Sequence, residues 1–190
     1  MPVVTQSLPL DDPNGAARTA SAPGPHLEYR LDVLGTDAAD LVRYAGGWMF
    51  DRALAGWRVN AWLLDADDLR PLQVLGVQGH RLEPGARRTD DEHTAGLAVS
   101  ANLAESDADV RAAVRGVLTS GHTEVVLWGG RRPELLGGRA EPVRYRLSAA
   151  ARTFKRHALL AADCREIPVE ACESLVCGGY RPVDSDLVRR

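Results

Sequence analysis

The chain is short of lysine, cysteine, aromatic residues and long apolar runs. Of 23 basic residues in 190, only Lys155 is lysine and the other 22 are arginine. With abundant Ala, Gly and Val, that bias points to a GC-rich bacterial genome and not to a function. Three cysteines are an odd number for a disulfide framework and suit a reducing cytoplasm. No apolar run approaches the ~20 residues that span a bilayer, and no basic segment followed by an apolar stretch marks the beginning for export. Excess charge is lacking too. A net charge of −3 gives no electrostatic case for nucleic acid or an anionic membrane. Signature motifs are missing: there is no GxxxxGK[ST], no GxGxxG after a strand, no GxSxG and no HExxH. No cofactor is implied. A receiver-domain reading fails because neither Asp32 nor Lys155 sits where its acids and lysine belong.

What is present is a soluble globular composition, 45% hydrophobic and 26% charged. Residues 1–26 are rich in proline and small residues, without periodicity, and read as a loosely attached arm. Residues 27–163 read as one α/β domain, and residues 164–190 as an irregular tail.

The domain is organised around Thr36–Leu64. Apolar residues at Ala38, Leu41, Val42, Ala45, Trp48, Met49 and Ala53 follow helical spacing, Thr36 or Asp37 supplies the cap, and Gly56 ends the helix. Gly46-Gly47 inside it costs about 1 kcal/mol per glycine relative to alanine. Either something approaches closely there, or bulky Tyr44, Trp48 and Phe50 need small neighbours. Trp57–Leu64 alternates as a strand. Upstream, Leu27–Val33 alternates apolar with charged and reads as a strand near a sheet edge. Asp65–Asp68 reads as a turn into Arg70–Val77, the second arm of a β-hairpin. Residues 78–95 lack periodicity and read as a long mobile loop.

Leu97–Leu103 reads as a buried strand. Ser106 with Asp109 resembles a capping box for the helical stripe Val110, Val114, Val117 and Leu118, which Gly121 stops. Val125–Trp128 is apolar on both faces, as in a central strand. Val143, Tyr145 and Leu147 alternate, and Ser148 caps a helix with Ala151, Phe154, Ala158 and Ala161 inward and Arg152, Lys155 and Arg156 outward. This order predicts an α/β, three-layer domain with a mixed, mainly parallel central sheet and a β-hairpin. Trp48, Met49, Val59, Val99, Val114, Val126 and Phe154 are expected in one continuous core.

Strand–helix–strand from Leu97 to Trp128 points both carboxyl ends to one edge, where open α/β sheets bind ligands. That edge gathers Asn102, Glu105, Ser106, Gly129, Gly130, Arg131 and Arg132, which suit a small anionic ligand. His80, His93, Asp90 and Asp91 on the 78–95 loop offer acid–base groups. His157 with Cys164, Cys172 and Cys177 supplies zinc-ligand types without paired spacing. Three readings follow. The leading one is a non-catalytic binding or regulatory protein for a small anion or a protein partner, supported by exposed aromatics near the Gly-Gly turn. The second is an enzyme using the loop acids and histidines. The third is a homodimer or complex subunit pairing through the Leu27–Val33 strand or the Trp48 face.

The strings YAGGWMFDRALAGWRV, RPLQVLG, TEVVLWG and RLSAAARTFK resemble an uncharacterised family of conserved proteins from high-GC actinobacteria. The resemblance runs from about Leu27 to Ala162 and implies a bacterial cytoplasmic protein. It carries over no activity and no functional residue.

Overall fold

The computed structural model describes residues 29–83, 94–130, 134–136, 140–181 and 186–189. Alternating strands and helices build a single mixed sheet: β1 (Arg30–Gly35), α1 (Ala38–Leu54), β2 (Arg58–Leu63), α2 (Arg70–Val74), β3 (Gln78–Arg81), β4 (Thr94–Ser100), α3 (Ala101–Ser106), α4 (Ala108–Ser120), β5 (Glu124–Trp128), β6 (Glu141–Arg146), α5 (Ala149–Ala161), β7 (Cys172–Gly179) and β8 (Val188–Arg189). The eight strands lie in the order β3-β2-β1-β4-β5-β7-β6-β8. The first five are mutually parallel. β7 runs antiparallel to β5 and β6, and β8 runs antiparallel to β6. The α/β class and the mainly parallel mixed sheet are as the sequence predicts.

Two apolar layers sandwich the sheet. On one face α1, α2 and α5 share a cluster with Val33, Val59, Ala61, Val126 and Trp128. On the other, α3 and α4 cover Leu97, Val99, Val125 and Leu127. The expected continuous core is therefore two cores. Trp48, Met49, Val59 and Val126 belong to the first, and Val99 and Val114 to the second.

Several local expectations need correction. β1 is central, between β2 and β4, and Leu31–Gly35 is buried throughout. Its alternating charge misleads because Asp32 is buried with partners: Arg30 Nε, Asn60 Nδ2 and Thr94 Oγ1 all donate to it, at 3.0, 3.1 and 3.3 Å. The hairpin expected after β2 is a helix and a parallel strand. Pro71 stands in the first turn of α2, where its missing N–H and fixed φ fit, and β3 returns parallel to β2. Ser106 does not cap α4. It ends α3, its hydroxyl donates to the Leu103 carbonyl, and Asp107 is the cap, accepting from the Asp109 and Val110 N–H groups. Arg111 donates to the Ala104 and Glu105 carbonyls at the end of α3, which lets two short helices abut.

α5 is turned about one residue from the expected phase. Ala151, Lys155, Ala158 and Leu159 face inward, while Phe154 is 42% exposed and stacks on Phe50. Lys155, expected on the outward face, is buried instead. Within the stretch read as an irregular tail, residues 172–179 form β7, which fills the place between β5 and β6.

Candidate functional site

The strand order reverses between β1 and β4. From β1 the chain rises into α1 on one face, and from β4 into α3 on the other, so their carboxyl ends flank a crevice. Open α/β sheets place their ligand sites at such a point. α1 opens with Asp37, whose side chain accepts from the Asp40 N–H at 2.8 Å, so the first turn is fixed in direction. That turn carries Asp40. Its carboxylate accepts a hydrogen bond from the Trp128 indole at the end of β5, at 3.0 Å. Trp128 is buried, and a buried indole N–H needs an acceptor. Ser100, paired with Trp128 in the β4–β5 register, lies beside it with a buried hydroxyl that has no hydrogen-bond partner among the described residues.

Burial pushes the Asp40 carboxyl above its ordinary value of 3.8, and neighbouring Asp37 adds to the shift. The Trp128 indole and Arg43 pull the other way without cancelling it. A half-buried acid with a raised pKa, oriented by one hydrogen bond, is equipped to take and return a proton.

Directly after Trp128, β5 ends in Gly129 and Gly130, both at positive φ (63° and 97°). A side chain on Gly130 would lie 3.1 Å from the Ala101 Cβ and from the Asn102 Oδ1, and one on Gly129 would reach Asn102 and Tyr44. Glycine is needed here for both backbone conformation and room. The structure thus brings Asn102, Gly129 and Gly130 together, with Tyr44 beside them. Ser106 sits at the other end of α3, turned to its own backbone. Arg131 and Arg132 lie outside the described residues. So do Asp90, Asp91 and His93, while His80, expected on the 78–95 loop with them, lies in β3 with its ring stacked on Trp62, 4.2 Å between centroids.

The sequence reading missed Asp40, Tyr44 and Trp128 as a group. Asp40 had an adequate local explanation in the helix dipole, and Trp128 in an apolar strand. The usable signal was an indole donor at a strand's carboxyl end. The exposed aromatics expected near Gly46-Gly47 are not exposed: Trp48 and Phe50 are buried, and Tyr44 is half-buried.

No family model matches the sequence, and no curated protein sequence matches it. Solved structures match in shape. A triple mutant of the deacetylase Orf2 from the teicoplanin biosynthetic pathway superposes with a TM-score of 0.55 at 14% identity, covering 82% of this chain and 100% of that one. The A40926 pseudoaglycone deacetylase Dbv21 gives 0.54 at 12% identity, over 82% of this chain and 99% of that one. A zinc-inhibited form of Orf2 gives 0.54 at 13% identity, over 82% and 100%. The fold is one that deacetylases use. This overturns the expectation of a non-catalytic binding or regulatory protein, because these structures, matched over 99–100% of their length, are of deacetylases.

One of those neighbours has a zinc-inhibited form, and a zinc site needs several His, Cys, Asp or Glu donors close together. Among the described residues no three His, Cys, Asp or Glu side chains gather to hold an ion. Asp37 is already engaged as the cap of α1. The described residues do not fit a zinc site. Nor do His157, Cys164, Cys172 and Cys177 form one. Among the described residues, no helix is long and apolar enough to cross a membrane.

Proposed function

We propose that the protein is an enzyme acting on a small-molecule substrate in the crevice between β1 and β4, and that its reaction is hydrolysis of an N-acyl group. The observation that carries this reading is Asp40, a half-buried carboxyl with a raised pKa, held by Trp128 at the point where the strand order reverses. Ionised Asp40 takes a proton from water as the water oxygen bonds to the acyl carbon. As the C–N bond breaks, Asp40 returns that proton to the departing nitrogen, leaving a carboxylic acid and a free amine. Asn102 and the glycine turn form the opposite wall, where a carbonyl or hydroxyl of the substrate would be oriented. The likeness in fold to deacetylases supports the reaction class.

The reading keeps the cytoplasmic setting expected from three free cysteines, and a net charge of −3 argues against nucleic acid as partner. The test is release of free amine from a panel of N-acetylated compounds, teicoplanin-type glycopeptides included. Turnover by wild type, reduced at least about 100-fold in Asp40→Asn, is the expected result. No turnover across the panel, or equal turnover by the variant, ends the proposal.

A further inference from the structure

The only lysine in the chain, Lys155 on α5, is buried, and it pairs with the buried Glu173 of β7 against the backbone of α1. Lys155 Nζ donates to Glu173 Oε1 at 2.6 Å and to the Arg43 carbonyl at 2.7 Å. The Gly47 N–H donates to Glu173 Oε1 at 2.8 Å, and the Trp48 N–H to Oε2 at 2.9 Å. In a regular helix the Gly47 N–H bonds to the Arg43 carbonyl. The two members of the ion pair therefore take the two ends of one rung of α1. On this same turn Gly47 leaves room for Leu147, whose side chain an added Cβ would meet.

The frame around this contact gives it a second meaning. Glu173 stands on β7, which pairs directly with β5, the strand that carries Trp128. α1 is thus fastened to two neighbouring strands, by Asp40 on Trp128 and by Gly47 and Trp48 on Glu173. The fastenings lie seven residues apart, about 10 Å along the helix. Asp40 and Tyr44 both sit on the amino-terminal side of the Glu173 contact, within two turns of it.

We infer that Lys155 and Glu173 are positioning residues, setting where α1 rests on the sheet and so where Asp40 and Tyr44 stand in the crevice. This rests on the catalytic reading of Asp40, and its test has a readout independent of turnover. The Trp128 indole N–H is a direct reporter of Asp40, and Trp128→Phe identifies its resonance among those of the four tryptophans. Lys155→Met combined with Glu173→Gln removes both charges together, which avoids leaving one buried charge unpaired.

In that variant the Trp128 indole resonance should move, and its pH midpoint should shift by about half a unit or more. Its kcat should fall about tenfold while KM stays within about threefold, as expected when a reacting group is displaced. Should the double variant not fold, Lys155→Arg keeps the charge but lengthens the arm that holds the Arg43 carbonyl, and it should move the same resonance. Lower melting temperature with the Trp128 resonance and midpoint at wild-type values would reduce the pair to a stabiliser and overturn the inference. A moved resonance with no turnover by any form would leave the fastening intact and sink the catalytic reading alone.

Discussion

At the scale of single residues, the site turns on what burial does to a carboxyl. Asp40 has a raised pKa chiefly because α1 and the sheet remove water from it. In the folded protein it therefore holds its proton to higher pH than in the unfolded chain. Its contribution to stability is fully present below the unfolded value of 3.8 and is lost as pH rises through the folded pKa. At neutral pH the ionised form is a small burden on the fold. Asp40→Asn keeps an oxygen to accept from Trp128 and sheds that burden. We expect its stability at pH 7 in urea melts to equal or exceed wild type, within about 1 kcal/mol, while activity is lost. The acid limb of the wild-type kcat/KM profile should have its midpoint above 3.8 and vanish in the variant. Cys177 is shifted in the same direction, with a different consequence. Burial, with Glu124 beside it, pushes its thiol up to about 12, so the thiolate that alkylating agents need is scarce. Iodoacetamide at pH 8 should modify Cys164 and Cys172 in the folded protein, and Cys177 only after unfolding, as mass spectrometry of the digests would show.

At the scale of elements, α1 shows how a helix can contain two glycines and remain 17 residues long. Propensity alone favours alanine at Gly47 by about 1 kcal/mol. Packing opposes it, because the added methyl would meet the buried Leu147 side chain along three of its carbons, the nearest well inside contact distance. Overpacking of that kind costs about 1–3 kcal/mol. Gly47→Ala should therefore lower stability by about 1 kcal/mol, measured by urea denaturation, and a variant more stable than wild type would show that Leu147 yields freely. Of the two explanations open from the sequence, close approach describes Gly47 better. What approaches is Leu147 and the Glu173 carboxylate, delivered by segments more than 90 residues away.

At the scale of the whole molecule, the sheet separates two cores, and each large side chain matters according to which layer it fills. Trp48 is 1% exposed in the larger one. Trp48→Ala should cost about 3–5 kcal/mol and leave the protein unfolded or insoluble. Phe154, which the sequence pattern places in the same core, lies half in solvent against Phe50. Phe154→Ala should cost about 1 kcal/mol, most of it from the lost ring stacking. Urea melts of the two variants decide between this assignment and a single continuous core.

Local pattern determined much of this molecule. Caps at Asp37 and Ser148, the left-handed Gly121 and the apolar Val125–Trp128 strand could be read directly, because each depends on residues a few positions apart. The α/β class followed from their alternation. Half of the crevice's far wall could be read too, since Asn102 and Gly129 flank one strand–helix–strand unit. What the tertiary structure alone decided were the matters that distant segments settle. A buried charge looks like a surface charge until its partner is known, so Asp32 was assigned to an edge and Lys155 to solvent. The strand at 172–179 follows α5 after ten residues without periodicity, and it gains its place only by pairing with β5 and β6. Asp40 and Trp128 are 88 residues apart. Their meeting depends on α1 lying across the end of β5, which no short stretch of sequence encodes.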